Sequence, residues 1–179
     1  SEAFSGFAPF VPSVSDSGVV AFQAKLRRGG TGIFTGSGGT ISQILDADSS
    51  AFGTFNSHPD ISTRAGLSFY AGIKSGGHGV FRVLGGEVLT LAREDGVLQR
   101  IGPLGPTMND GGTVAFRADL RAGRSGIFTG NREAIVTIAD TRGPFRGFQG
   151  LPVINCRGTV IFRADLKRGG QGIYANRNG

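Results

Sequence analysis

The sequence predicts an all-β fold built from four tandem repeats, and three observations carry that prediction. Four prolines, Pro12, Pro59, Pro106 and Pro152, recur at intervals of 47, 47 and 46 residues. The same intervals separate Phe22, Phe69, Phe116 and Phe162, and again Phe34, Phe81, Phe128 and Tyr174. Residues 18–36 and 112–130 agree at 13 of 19 positions, which composition bias does not produce. Within each repeat the apolar period is two rather than 3.6. Val114, Phe116, Ala118 and Leu120 share one face, while Thr113, Ala115, Arg117 and Asp119 share the other.

Each repeat opens at its proline with an extended segment carrying Val14, Ile61, Met108 or Ile154. The main strand follows, and Ala21, Ala115 and Ile161 on its second face indicate that this face is partly covered, as stacked sheets require. A Gly-rich turn comes next (Arg28-Gly29-Gly30, Ser75-Gly76-Gly77, Arg168-Gly169-Gly170), supplying the positive φ angles that a tight hairpin needs. A short strand around Gly-Ile-Phe and a third strand, such as Ile41 to Leu45 or Ile135 to Ile138, complete the pattern. An aromatic pair three residues apart ends the unit: Phe52/Phe55, Phe145/Phe148 and Phe4/Phe7, with Leu98/Ile101 in the second. No segment shows a helical stripe.

About four short strands in roughly 46 residues match a β-propeller blade, whose sheet buries both faces only when neighbours stack on it. The expected architecture is a small four-bladed propeller with an incomplete fourth blade, and an open β-repeat stack is the alternative. The repeats are drawn at 12–58, 59–105, 106–151 and a partial 152–179, all within one domain. Residues 1–11 are expected to close the fourth blade. That blade stops before its third strand, leaving an edge open to homo-oligomer formation.

Composition narrows the function classes. The 179 residues include 32 Gly and 14 Phe, with two Tyr and no Trp. With 19 basic and 13 acidic residues the net charge is +6, which favours acidic partners. Cys156 is the single cysteine, so neither an intrachain disulfide nor a cysteine-based zinc cluster can form. The chain starts Ser1-Glu2-Ala3-Phe4, without Met or a basic and apolar leader, and reads as a mature or excised piece. No apolar run is long enough for a membrane-spanning helix.

The lead-in to the main strand recurs as Asn109-Asp110-Gly111-Gly112-Thr113-Val114-Ala115-Phe116 and Asn155-Cys156-Arg157-Gly158-Thr159-Val160-Ile161-Phe162. The first repeat keeps Gly18 and Ala21-Phe22 but has Ser15 at the Asn position, and the second has Ser62 and Ala65 at the Asn and Gly positions. The pattern resembles the secreted bacterial tandem-repeat family, choice-of-anchor type, named for its Asn-x-x-Gly and Ala-Phe motif. The resemblance implies a secreted or cell-surface bacterial β-repeat protein and brings no activity with it. Physically, Asn or Ser closes a turn through its side chain and Gly permits positive φ before the strand begins.

The candidate ligand site is a basic hairpin rim: Lys25, Arg27 and Arg28 in the first repeat, Lys74 and His78 in the second, Arg121 and Arg124 in the third, Lys167 and Arg168 in the fourth. Cations at one place in every repeat would ring one rim and hold an anionic glycan or another polyanion. The bland reading of the same residues is solubility and edge protection. Nucleic acid is disfavoured, because the aromatic residues fall in core columns rather than interleaving with cations. No catalytic residue, cofactor or metal is assigned. Asp46 and Asp140 share a repeat position that reads as a turn, while His58 and His78 occupy unrelated ones. The expected function is therefore a non-catalytic extracellular binding or scaffolding module. The alternatives are a purely structural, self-assembling repeat of a larger surface protein and, more remotely, a propeller-type hydrolase.

Overall fold

The computed structural model describes residues 3–176. Sheet 1 contains β1 (Phe4–Phe7), β2 (Ser13–Val14), β3 (Val20–Leu26), β4 (Thr31–Gly36) and β5 (Ile41–Asp46). Its order is β1-β3-β4-β5, with β2 pairing the start of β3. Sheet 2 repeats this with β6 (Phe52–Phe55), β7 (Asp60–Ser62), β8 (Gly66–Ile73), β9 (His78–Leu84) and β10 (Glu87–Arg93). Sheet 3 does so with β11 (Leu98–Ile101), β12 (Thr107–Met108), β13 (Val114–Leu120), β14 (Arg124–Gly130) and β15 (Ile135–Asp140). Sheet 4 has the order β16 (Phe145–Ile154), β17 (Val160–Leu166) and β18 (Gln171–Ala175).

The aromatic-pair strand and the proline segment lie along the same edge of each central strand, because β1 pairs the end of β3 and β2 pairs its start. A proline cannot donate to the ladder and is tolerated where pairing is interrupted. In sheet 4 the interruption is milder: β16 runs through Pro152 with a register shift between Gln149 and Val153.

One expectation is corrected by this pairing. Residues 1–11 were expected to close the fourth blade, but Phe4 pairs with Leu26 and Phe7 with Ala24, so β1 belongs to sheet 1. The cause is local. The aromatic pair opens each sheet and does not end the preceding one, as Phe52 against Ile73 and Phe145 against Leu166 repeat.

The turn between the second and third antiparallel strands needs two successive residues at positive φ. Gly29 and Gly30 supply them at 95° and 77°, as do Gly169 and Gly170 at 91° and 83°. In sheet 3 Arg124 stands where the second glycine would be. The pair moves back one residue, onto Ala122 at 61° and Gly123 at 69°, and a short 3-10 turn forms over Arg121–Gly123.

Every sheet has two unlike faces. One carries the Phe columns, whose rings stack across strands: Phe22 on Phe34 at 5.8 Å, Phe69 on Phe81 at 5.4 Å, Phe116 on Phe128 at 5.8 Å and Phe162 on Tyr174 at 6.0 Å. The other face is smaller, with Ala21 and Ile33 in sheet 1 and Ala115 and Ile127 in sheet 3. The Phe face of sheet 2 packs on the small face of sheet 1, that of sheet 3 on sheet 2, and that of sheet 4 on sheet 3. A fourth apolar cluster, Phe4, Ala24, Leu26 and Phe34 with Phe22, lies within sheet 1 alone.

Among the described residues no sheet packs on the outer face of sheet 1 or of sheet 4. Phe7 is 69% exposed while its counterparts Phe55 and Phe148 are 4% and 3%. At the other end Ile173 is 69% exposed, whereas Ile33 is 0%. Among the described residues no apolar cluster joins sheet 1 to sheet 4, so the stack is open at both ends.

Candidate functional site

The inner strands of all four sheets converge on one axis, with β2 against β7, β7 against β12, and β12 against β16. Polar side chains stitch these strands together across about one repeat. Asp60 accepts the Met108 amide at Oδ2 (2.7 Å), and Thr107, at the same repeat position, accepts the Ile154 amide (3.1 Å) while donating to the Pro152 carbonyl (2.9 Å). Ser57 Oγ accepts the buried Gly105 amide at 2.6 Å, and Ser62 donates to Asp110 at 2.6 Å. Between sheets 1 and 2, Thr63 meets Ser17 at 3.1 Å.

Two cavities lie along this axis. One, of about 250 Å³, is polar and touches all four sheets through Ser15, Asp16, Ser62, Asp110 and Cys156. The other, of about 380 Å³, is more apolar and is lined by Val11, Leu104 and Leu151 together with His58 and Asp60. Burial raises the Asp60 carboxyl above its ordinary value, an effect only partly offset by the Met108 amide and by His58. Burial also lowers the His58 imidazole, against the pull of Asp60. Both Asp60 oxygens are engaged by backbone amides, since Ile61 donates to Oδ1 at 3.0 Å. His58 Nδ1 sits 3.2 Å from the Ser57 hydroxyl. Asp60 and Ser57 thus hold neighbouring strands in register through backbone amides. Among the described residues no three His, Cys, Asp or Glu side chains gather closely enough to hold a metal ion.

The basic hairpin residues lie at the far end of the sheets, beside β1 and its counterparts rather than beside the inner strands. Lys25, Arg27, Arg28, Lys74, Arg121, Lys167 and Arg168 are exposed, while His78 and Arg124 are half-buried. Several share a task that sequence reasoning missed. Lys74 Nζ donates to the carbonyls of Asp48 and Ser50, both at 2.9 Å, in the connection entering sheet 2. Arg121 Nε donates to the Gly96 carbonyl at 2.7 Å in the connection entering sheet 3, and Lys167 reaches the Arg142 carbonyl at 3.4 Å in the one entering sheet 4. Arg124 bonds back to the Arg121 carbonyl at 3.4 Å. Arg28 pairs with Asp46, and His78 Nδ1 lies 3.0 Å from Glu94. The Asp48 amide, and after it Arg28, hold the Asp46 carboxyl below its usual range.

Sequence reasoning also missed Asp60 and Thr107. Their signal was present: Ser13, Asp60 and Thr107 place a short polar side chain just after three of the four repeat prolines, next to an apolar residue, while Val153 follows the fourth.

No protein-family model and no curated protein matches the chain. Two crystal structures are similar to it. The structure of TolB from Acinetobacter baumannii superposes with a TM-score of 0.62 at 13% identity, over 93% of this chain and 40% of that one. Oligogalacturonate lyase from Vibrio parahaemolyticus superposes with a TM-score of 0.64 at 10% identity, over 97% of this chain and 54% of the other. The fold is propeller-type. The chain spans about half, or less, of the length of either structure. In propeller terms β2, β7 and β12 are inner-strand pieces, β5, β10 and β15 are outer strands, and the cavities lie in the axial channel. Among the described residues no helix is long and apolar enough to cross a membrane.

Proposed function

We propose that this chain is a non-catalytic scaffold segment of an extracellular propeller-type protein, and that it joins sheets of its own repeat through its two uncovered faces. One observation carries the reading. The Phe face of sheet 1 and the small face of sheet 4 are the two halves of an interface that the chain already builds three times within itself. Such an interface is heterologous, head to tail, and another copy supplies the matching half. The stitching role of Asp60, Thr107 and Ser57 supports a structural reading of the channel over a catalytic one. The extracellular placement rests on the resemblance of the Asn-x-x-Gly and Ala-Phe repeats to secreted bacterial proteins.

The test is the mass in solution of the chain and two variants, Phe7→Asp on the sheet 1 face and Ile161→Asp on the sheet 4 face. The unaltered chain should associate with rising concentration, and each variant alone should remain monomeric. A mixture of the two variants should form a one-to-one complex, because each keeps the half that the other has lost. An unaltered chain that stays monomeric throughout, or a mixture that never pairs, refutes the proposal.

A second reading keeps the basic rim as a site for an anionic glycan or another polyanion, and the recurrence of exposed cations at one turn favours it. Binding of heparin-like or lipopolysaccharide anions that disappears at high salt would support it, and no binding at low salt would end it.

A further inference from the structure

Between the β9–β10 hairpin of sheet 2 and the β14–β15 hairpin of sheet 3 lies a cavity of about 100 Å³, lined by Arg82, Leu84, Glu87, Leu89 and Arg132. That is below the roughly 300–1,000 Å³ of sites built for larger ligands. Strand register makes its floor. Arg82 pairs with Leu89 and Leu84 with Glu87, and residues directly opposite in an antiparallel pair share a face. Val80 lies on the same face of β9 and packs in the cluster between sheets 2 and 3, so the floor looks toward sheet 3. Gly85 and Gly86, at φ 58° and 85°, close the turn tightly and keep Leu84 opposite Glu87. Arg82 and Glu87 therefore stand at diagonal corners, with the two leucines at the others.

Arg82 is half-buried and lies against the lead-in turn of the third repeat, where a Cβ on Gly112 would collide with its Nη1. Its one hydrogen bond among the described residues is long, from Nη1 to the Gly112 carbonyl at 3.4 Å. Its Nε is enclosed without an acceptor, which is unfavourable for so strong a donor. Arg132 reaches the cavity from sheet 3, on a hairpin whose bend is fixed by Asn131 Oδ1 accepting the Glu133 and Ala134 amides at 2.8 and 3.0 Å. Glu87 and Arg132 are exposed. Among the described residues none of these three charges enters an ion pair.

The repeat fold does not require them. At the places of Arg82 and Leu89, sheet 1 has Thr35 and Ser42, and sheet 3 has Thr129 and Val136. Sheets stack there without charge, so a guanidinium at this place answers to something other than packing.

From this we infer that the cavity is a binding site for a small zwitterion, of the class of short-chain α-amino acids. The ligand carboxylate is held by the guanidinium groups of Arg82 and Arg132, its ammonium faces Glu87, and its side chain rests on Leu84 and Leu89. A simple anion would lie beside the like charge of Glu87, and a simple amine beside the like charges of both arginines. Sheets 2 and 3 each have a neighbour on both sides within this chain, so the site stands apart from the head-to-tail association.

The experiment titrates the ¹⁵N-labelled whole chain with L-alanine at constant ionic strength, which removes screening as a variable, and follows backbone amide shifts. Shifts should saturate and should centre on residues 82–89 and 131–133. Acetate and ethylamine, each carrying one of the two charges, should bind about tenfold more weakly or worse. Arg132→Gln should weaken both L-alanine and acetate about tenfold. Glu87→Gln should weaken L-alanine by a similar factor and leave acetate no weaker. Both variants alter exposed side chains, and their amide spectra report directly whether they fold. The absence of a saturable shift with L-alanine overturns the inference, as do shifts centred elsewhere. Acetate binding as well as L-alanine, or a Glu87→Gln chain that keeps full L-alanine affinity, would mean that no zwitterion is recognised.

Discussion

Phe7 and Phe55 occupy the same repeat position, so truncating each to alanine compares one side chain in two environments. Phe55 is 4% exposed, with its ring 5.9 Å from Phe69 and 6.1 Å from Phe52. Its loss removes nearly a full phenylalanine's burial and leaves a cavity between sheets 1 and 2, at a cost of about 3–5 kcal/mol. Phe7 is 69% exposed, which leaves about a third of its surface covered, chiefly by Phe4 and Phe22 at 5.7 and 5.8 Å. Scaling the transfer free energy by that third, with no enclosed cavity to add, gives about 1 kcal/mol. The assay is equilibrium urea unfolding at a protein concentration too low for association, followed by circular dichroism and by amide exchange. Exchange matters because stacked repeats can unfold in parts rather than all at once. A Phe7→Ala cost equal to that of Phe55→Ala would mean that the sheet 1 face is covered in solution. The open stack, and the assembly drawn from it, would then be wrong.

Three further outcomes follow from local geometry. Ala122→Gly should raise stability by about 0.5–1 kcal/mol in the same urea assay, because glycine relieves the left-handed strain that alanine bears at φ 61°. An unchanged or lowered midpoint contradicts that account of the turn. Ser57→Ala strips the buried Gly105 amide of its acceptor and should cost about 1–3 kcal/mol, whereas a neutral result would show that another group takes over. The His58 imidazole, lowered by burial, is neutral in the fold where the unfolded chain is already protonated. Stability should therefore fall as pH drops below the ordinary value of 6.5, and His58→Gln should flatten that slope. Asp60, raised above 3.8, acts oppositely and at lower pH, because the folded state takes up its proton first. A variant with an unchanged slope between pH 7 and 5 would exclude His58 as the source.

The recurrence of Pro12, Phe22 and Phe34 at fixed intervals, with alternation of period two, determined the four-unit β architecture and its Phe columns without any coordinates. These are local signals, set by each strand's need to bury one face and each hairpin's need for positive φ. Even the displaced turn of sheet 3 is readable afterwards from Arg124 standing in a glycine's place. The sequence placed Lys74 and Arg121 at hairpin turns but did not reveal what they hold, because both bond to backbone carbonyls, and any residue supplies a carbonyl. The pairing of β1 with β3 was decided only in three dimensions. A repeat read from a linear chain has no natural starting point, and hydrogen-bond register alone says where one sheet ends and the next begins. The tertiary structure likewise decided that Phe7 and Phe55, alike in sequence context, differ in burial. That difference depends on which neighbouring sheet stands beside each, which no residue encodes for itself.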